Sequence, residues 1–314
     1  MKKVLFATTA LVASAGIAHA DGHLGVAVTG GAEIGVVGGS RYGDETQFFS
    51  SVDVRFSMTG ETSGGLSFGA TIDLDDAVDH AILGFDHVDN TGGQFTDYTV
   101  FLSGNFGTVT MGDTDGAFDW ALQEADIGAG SIDDSHTTHA GFSGNSGYDG
   151  IYDGQVVRYD NSFGGFEFAI SAEMDDAGVF DPAFGIGARY ATDLGGIQLG
   201  IGLGFQTGDV FDDIFGVSLD ARFGGGFRVV LNYSDLDVVN GDDHFGIGAS
   251  YEFDAIVVSA NYGEFGNGDS GFGLSASYDL GGGAVIQFGY GDSDFDDPLL
   301  PDEDTFSLGV SMSF

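Results

Sequence analysis

Apolar residues alternate with polar or small residues along most of the chain after residue 20. In segments 66–74, 197–205 and 306–314, every second residue is Leu, Ile, Val, Phe, Met or Ala. A period of two predicts β-strands, and about ten residues is also the length of a tilted strand that crosses a bilayer. No run of eighteen apolar residues follows residue 20, so the sequence predicts no membrane-spanning helix.

Two kinds of connection separate the alternating segments. Seven short turns and eight longer, acidic loops would join sixteen strands, with both chain ends on the short-turn side. This is the layout of a bacterial outer-membrane barrel, so the predicted fold class is an all-β, antiparallel transmembrane β-barrel of 16 strands. The turns are predicted at 62–65, 105–107, 163–165, 193–196, 224–226, 254–255 and 281–283, and the loops at 38–48, 75–95, 114–153, 175–183, 207–213, 234–244, 264–271 and 292–304.

The charged residues of the predicted strands fall on the face opposite the apolar series. A charge on the lipid face near the bilayer midplane costs roughly 2–4 kcal/mol, so a membrane barrel enforces this segregation. A soluble β-sandwich has the same alternation with the two faces exchanged, but aromatic residues near both strand ends favour the membrane. The residues predicted to face the lumen are Arg55, Arg158, Arg189, Arg222, Arg228, Glu33, Asp53, Asp73, Asp97, Glu167, Glu173, Asp220, Glu252 and Asp279.

The composition narrows the possible functions. The chain has 314 residues, no cysteine and a formal net charge of −41. The lack of cysteine excludes a disulfide scaffold, a thiolate zinc site and a cysteine nucleophile. The negative charge argues against nucleic acid as a partner, because phosphate binding needs basic residues, and it favours cations.

The first twenty residues have the features of a secretory signal peptide. Lys2 and Lys3 precede an apolar stretch over 4–17, and Ala18-His19-Ala20 matches an Ala-x-Ala cleavage site. We therefore expect residues 1–20 to be removed on export and residues 21–314 to form a single barrel domain in a Gram-negative outer membrane.

Several segments resemble the general diffusion porins of Rhodobacter-type alphaproteobacteria. The similar segments are 100–107 with 111–113, 245–251, 275–284 and the closing 308–314, whose terminal Phe matches the family's assembly signal. The resemblance implies a homotrimer embedded in outer-membrane lipid and lipopolysaccharide. It also implies a passive, water-filled channel for small hydrophilic solutes, and bound Ca²⁺ in some members.

The resemblance also implies a loop that folds inward and narrows the channel. The loop over 114–153 is the longest and contains no Lys or Arg, and the stretch 117–125 is expected to form a short helix with one apolar side. The second strand keeps one arginine where the family tends to have several basic residues, so we expect an acidic, cation-selective pore. The candidates at the constriction are Asp113, Asp115, Asp119, Glu124, Asp126, Asp133, Asp134, Arg55, Asp53 and Arg41.

Other sites and functions receive less support. His136 and His139 are spaced as a metal pair but lack a third ligand, and the last loop lacks the glycine of an EF-hand. An outer-membrane enzyme barrel and a secreted calcium-binding β-protein remain the alternatives, although no catalytic motif and no glycine-rich calcium-binding nonapeptide occurs. No cofactor is expected to be required. A looser structural Ca²⁺ site is expected at Asp292, Asp294, Asp296 and Glu303.

Overall fold

The computed structural model describes residues 24–74, 98–128, 131–132, 139–142, 147–148, 150–152, 154–175, 178–209, 213–236 and 243–314. Within these residues the chain forms sixteen antiparallel strands, each hydrogen-bonded to its sequence neighbour, and β1 pairs with β16 to close a barrel. The predicted fold class is therefore confirmed. The expected signal peptide over 1–20 lies outside the described residues.

The strands follow the predicted boundaries closely. None of the helices in the described part of the chain is long and apolar enough to cross a membrane. The strands are β1 (Leu24–Gly38), β2 (Gln47–Glu61), β3 (Ser67–Leu74), β4 (Tyr98–Gly104), β5 (Gly107–Gly112), β6 (Val156–Phe163), β7 (Phe166–Glu173), β8 (Ala183–Leu194), β9 (Ile197–Thr207), β10 (Ile214–Arg222), β11 (Phe227–Asp235), β12 (His244–Phe253), β13 (Ile256–Phe265), β14 (Ser270–Gly281), β15 (Ala284–Asp294) and β16 (Glu303–Ser313), and the helices are α1 (Ala117–Ala121) and a 3-10 turn (Ser40–Tyr42).

The two ends of the chain close the barrel. The register of β1 on β16 runs from Gly31 opposite Ser313 to Gly38 opposite Phe306. Beyond this ladder, the Phe314 amide donates to the Gly30 carbonyl at 2.9 Å. The Gly30 amide donates back to the Phe314 carbonyl at 3.2 Å. A closed sheet has no unpaired edge, which is the condition for spanning a bilayer with strands.

The alternating apolar residues lie on the outside of the barrel. Phe48 is 96% exposed and Ile186 is 54% exposed, although both are large hydrophobic side chains. Aromatic rings cluster at the short turns, where the ring centroids of Phe166 and Tyr190 are 4.4 Å apart. An apolar outer wall with aromatic residues at its margin is the surface that a membrane barrel presents to lipid.

Candidate functional site

The long connection between β5 and β6 folds into the barrel instead of lying outside it. The Ala117 amide donates to Ser171 Oγ on β7 at 2.8 Å, and the Gln123 amide donates to Ser218 Oγ on β10 at 2.9 Å. Phe118 is fully buried between this segment and the wall. The connection is called the inner loop (113–155) below.

The helix of the inner loop is shorter than predicted. The expectation was a helix over 117–125, but α1 ends at Ala121 and Leu122 has extended backbone angles (φ −92°, ψ 159°). The Gln123 amide bonds to Ser218 on the wall, so it is not available to a helical carbonyl. Contacts with the barrel therefore override the helical preference of this segment.

The return part of the inner loop is also bonded to the wall. The His139 Nε2 and Asn261 Oδ1 atoms are 2.6 Å apart, and the Ala140 amide donates to Ser293 Oγ at 2.9 Å. Burial lowers the pKa of His139, more than its bond to Asn261 raises it. Burial of the ring between the inner loop and the wall therefore favours its neutral form.

A single buried carboxylate holds the end of the inner loop. Glu173, which is 3% exposed, accepts backbone N–H bonds from Gly150, Tyr152 and Gly154 at 3.1–3.2 Å. Three bonds to one charged group fix the loop where it returns to β6, because charge-assisted bonds are stronger than neutral ones. The sequence analysis placed Glu173 on the inner face but did not identify this role.

Glycine residues on the inner wall allow the loop to lie directly against the strands. A Cβ atom at Gly248 would lie 1.8 Å from the Ala125 carbonyl oxygen, and one at Gly202 would lie 2.1 Å from the Ala121 carbonyl oxygen. No side chain fits in such a gap. The sequence analysis missed this function of glycine, although Gly200, Gly202 and Gly204 recur at the polar parity of β9.

A cavity of about 340 Å³ lies between α1 and the wall of β8–β10. Seven residues of the inner loop line it: Asp115, Asp119, Trp120, Ala121, Leu122, Gln123 and Glu124. Three of these side chains are carboxylates and none is basic, so the loop presents negative charge to the cavity. The wall side contributes Arg189, Ser218, Asp220 and Arg222.

The wall arginines beside α1 are largely covered. The side chains of Arg158 and Arg189 are 12% and 16% exposed. The guanidinium carbon of Arg189 lies 4.0 Å from the centroid of the Trp120 ring, and that of Arg158 lies 5.8 Å from it. These distances are within the range of cation–π contacts.

The remaining strand arginines are paired with aspartates. Arg228 makes two bonds to the Asp220 carboxylate, at 2.9 and 3.1 Å, and Arg222 adds a third at 3.2 Å. Arg55 is bonded to Asp73 directly across β2 and β3 and is 59% exposed. Arg55 is thus matched by one carboxylate, whereas Arg222 and Arg228 share the single carboxylate of Asp220.

The structure brings only part of the predicted constriction set together. Asp115, Asp119 and Glu124 line the cavity, but Asp126 accepts a bond from Asn261 at 3.2 Å and lies farther along the wall. Arg41 belongs to the 3-10 turn after β1. Of the other constriction candidates, Asp53 is on the inner face, Asp113 follows β5, and Asp133 and Asp134 lie outside the described residues. Of the residues predicted only to face the lumen, Glu33, Asp73 and Glu167 are on the inner face, and Asp97 lies outside the described residues.

The predicted metal sites have no assembled ligand set in the described part of the chain. There, no three His, Asp or Glu side chains meet at a point that could hold a metal ion. Asp292 and Glu303 lie on the paired strands β15 and β16, and the Asp296 amide bonds to Asp269 at 3.0 Å. His136 lies outside the described residues, so the histidine pair and the Ca²⁺ site stay predictions.

Comparisons with known proteins agree with this architecture. A family model described as Gram-negative porin matches residues 7–314. The porin of Rhodobacter capsulatus is 32% identical over 155 residues, which are 49% of this chain and 46% of that protein. The chain thus aligns with about half the length of this curated relative.

Solved porin structures share the fold. A triple mutant of the Rhodopseudomonas blastica porin is 23% identical, with 92% of this chain and 100% of that chain covered and a TM-score of 0.66. A porin refined at 1.8 Å resolution is 28% identical with the same coverage and a TM-score of 0.65.

Proposed function

The chain belongs to the Gram-negative porin family, and from this membership we propose that it forms a passive, water-filled, cation-selective channel in the outer membrane. The observation that carries the selectivity is the cavity beside α1, where Asp115, Asp119 and Glu124 line the loop side. Fixed carboxylates in a narrow passage raise the local concentration of cations and lower that of anions. We further propose that small hydrophilic solutes pass through the same opening.

The arginines of the wall do not reverse this charge pattern. Arg158 and Arg189 are covered, while Arg55, Arg222 and Arg228 are bonded to aspartates. A paired arginine attracts a passing anion less than an isolated one, since its partner's field opposes its own. Among the residues that line the cavity, the carboxylates of Asp115, Asp119, Glu124 and Asp220 outnumber the guanidinium groups of Arg189 and Arg222, so the lining is net negative.

Short strands support a multimeric assembly. β5, β6 and β7 contain 6, 8 and 8 residues, and described residues border each of them. A tilted strand needs about 9–11 residues to cross the hydrocarbon core. This part of the wall is better suited to contact another subunit than lipid, which supports the homotrimer.

Planar-bilayer recording tests the proposed channel. In a KCl gradient at low ionic strength, the protein should give large conductance steps grouped in threes, with a reversal potential on the K⁺ side. A reversal potential on the Cl⁻ side would contradict the acidic constriction while leaving a channel in place. Folded protein without conductance would contradict the channel itself and favour an enzyme barrel.

The single tryptophan of the chain provides an independent measurement. Because Trp120 lies at the cavity, its fluorescence reports local ion concentrations there. Relative to free tryptophan in the same salt, Cs⁺ should quench it more efficiently and iodide less efficiently. Equal relative quenching by both ions would show that the constriction carries no excess negative field.

A further inference from the structure

Trp120 contacts two positive groups beside the constriction. Its ring centroid is 4.0 Å from the guanidinium carbon of Arg189, on β8, and 5.8 Å from that of Arg158, on β6. The ring itself is half-buried and borders the 340 Å³ cavity. The indole thus packs against both guanidinium groups at the edge of the cavity, which Arg189 also lines.

The polar atoms of these arginines are directed toward the protein. Arg158 donates from Nη1 to the Asp115 carbonyl at 2.6 Å and from Nε to Asp160 Oδ1 at 3.4 Å. Arg189 Nη1 lies 3.9 Å from Glu167 Oε2. Two Arg158 donors are therefore engaged with the protein, and Arg189 has a carboxylate neighbour that opposes its attraction for an anion.

The covered arginines are less exposed than Arg222 and Arg55 on the inner wall. The Arg158 and Arg189 side chains are 12% and 16% exposed, against 41% for Arg222 and 59% for Arg55. Arg228 is 20% exposed and is bonded to Asp220 at 2.9 and 3.1 Å. Low exposure therefore accompanies the indole at Arg158 and Arg189 and a carboxylate contact at Arg228.

We propose that Trp120 determines ion selectivity at the constriction by covering the guanidinium groups of Arg189 and Arg158. The cover prevents anions from making contact pairs with these arginines, while the carboxylates of Asp115, Asp119 and Glu124 stay accessible to cations. Doubling the closest approach of an anion, from about 4 to about 8 Å, halves its Coulomb attraction, which in water changes the local anion concentration about twofold. This proposal rests on the proposed cation-selective channel and assigns one residue that produces it.

A double-mutant cycle between residues 120 and 189 tests the cover. The variants are W120A, R189Q, W120A with R189Q, and W120F as a matched aromatic control, each checked for folded barrel by circular dichroism and heat-dependent gel mobility. The measured quantity is the K⁺/Cl⁻ permeability ratio from the reversal potential. W120A should lower this ratio about twofold, and W120F should preserve it.

The R189Q substitution, made with and without W120A, distinguishes loss of the cover from a change in pore width. By the same Coulomb arithmetic, R189Q should raise the ratio about twofold when Trp120 is present and about sixfold in the W120A background, where the guanidinium is uncovered. If R189Q has the same effect in both backgrounds, the two residues are not coupled and the proposal is wrong. A wild-type channel without cation preference would instead contradict the proposed function, so the two failures are distinguishable.

Discussion

Two parts of the same barrel wall have similar outer faces and different inner faces. Strands β7–β13, here the covered arc, lie behind the inner loop; about half of their inner positions are glycine, serine or alanine, and most of these positions are buried. Strands β2 and β3, here the open arc, place Asp53, Arg55 and Asp73 on the inner face, where Arg55 is 59% exposed. On the outside, both arcs present alternating Phe, Ile, Leu and Val.

The difference shows that different surroundings determine which residues occupy the outer and the inner face. The outer face is the same around the barrel because every strand meets an apolar environment, where a charge is costly. The inner face meets water in the open arc and the polypeptide backbone in the covered arc. Small side chains allow the backbone to approach in the covered arc, and the charged side chains that remain there are bonded to the protein, as Glu173 is to three loop amides.

The largest effect should come from adding one carbon to the covered arc. In G248A the new Cβ would lie 1.8 Å from the Ala125 carbonyl oxygen, so the loop must move and its docking should weaken by about 3 kcal/mol or more. The matched control is G31A on the inner face of β1, where the atoms nearest to the new Cβ would be 3.8 Å away. Limited proteolysis of the folded barrel, with cuts mapped within 113–155, measures the docking. Equal protection of both variants would show that close backbone contact does not hold the loop.

A smaller effect should follow from neutralising the buried carboxylate of the covered arc. E173Q loses the charge that binds the N–H groups of Gly150, Tyr152 and Gly154, at a cost of about 2–3 kcal/mol. Hydrogen exchange of these three amides should accelerate while the strand amides keep their protection. The same change at the exposed Glu61, at the end of β2, is the control and should leave the three amides unaffected. Unchanged exchange in E173Q would mean that Glu173 does not anchor the loop.

The smallest effect should be a pH dependence of the docking of the inner loop on the covered arc. Because burial lowers the pKa of His139 below its ordinary 6.5, the undocked loop binds a proton more readily than the docked one. Docking should therefore be strongest above pH 6.5 and weaken as the pH falls, by at most about 2 kcal/mol between pH 6.5 and 5. His244, Glu124, Asp126 and Tyr262 line the same small cavity, and the charge of His244 lowers the pKa of His139 further.

Comparison of wild type with H139Q isolates the contribution of His139. Proteolysis of the inner loop at pH 7 and pH 5 should show a smaller difference in H139Q, because glutamine keeps a donor for Asn261 but does not titrate. The same pH response in both proteins would assign the effect to other groups.

Much of this arrangement was predictable from individual residues. The outward apolar parity predicted sixteen strands, and the glycine-rich turns, such as Gly195-Gly196 with φ 68° and 97°, are where the sequence placed them. The resemblance to diffusion porins, with the length and position of the connection after β5, predicted an inner loop. The helix boundary was not predictable, because Ser218, about 95 residues away, receives the Gln123 amide that a longer helix would have used.

The sequence by itself determined which residues face lipid and which face the interior, because a period of two on a pleated strand leaves each side chain only two directions and the bilayer rejects charge from one of them. Only the tertiary structure decided which interior charges remain accessible. Arg189 and Arg55 have the same parity in their strands, yet one lies under the Trp120 ring and the other is largely exposed. That distinction depends on where a distant loop crosses the wall, and closing the barrel fixes this path through contacts between residues far apart in the chain.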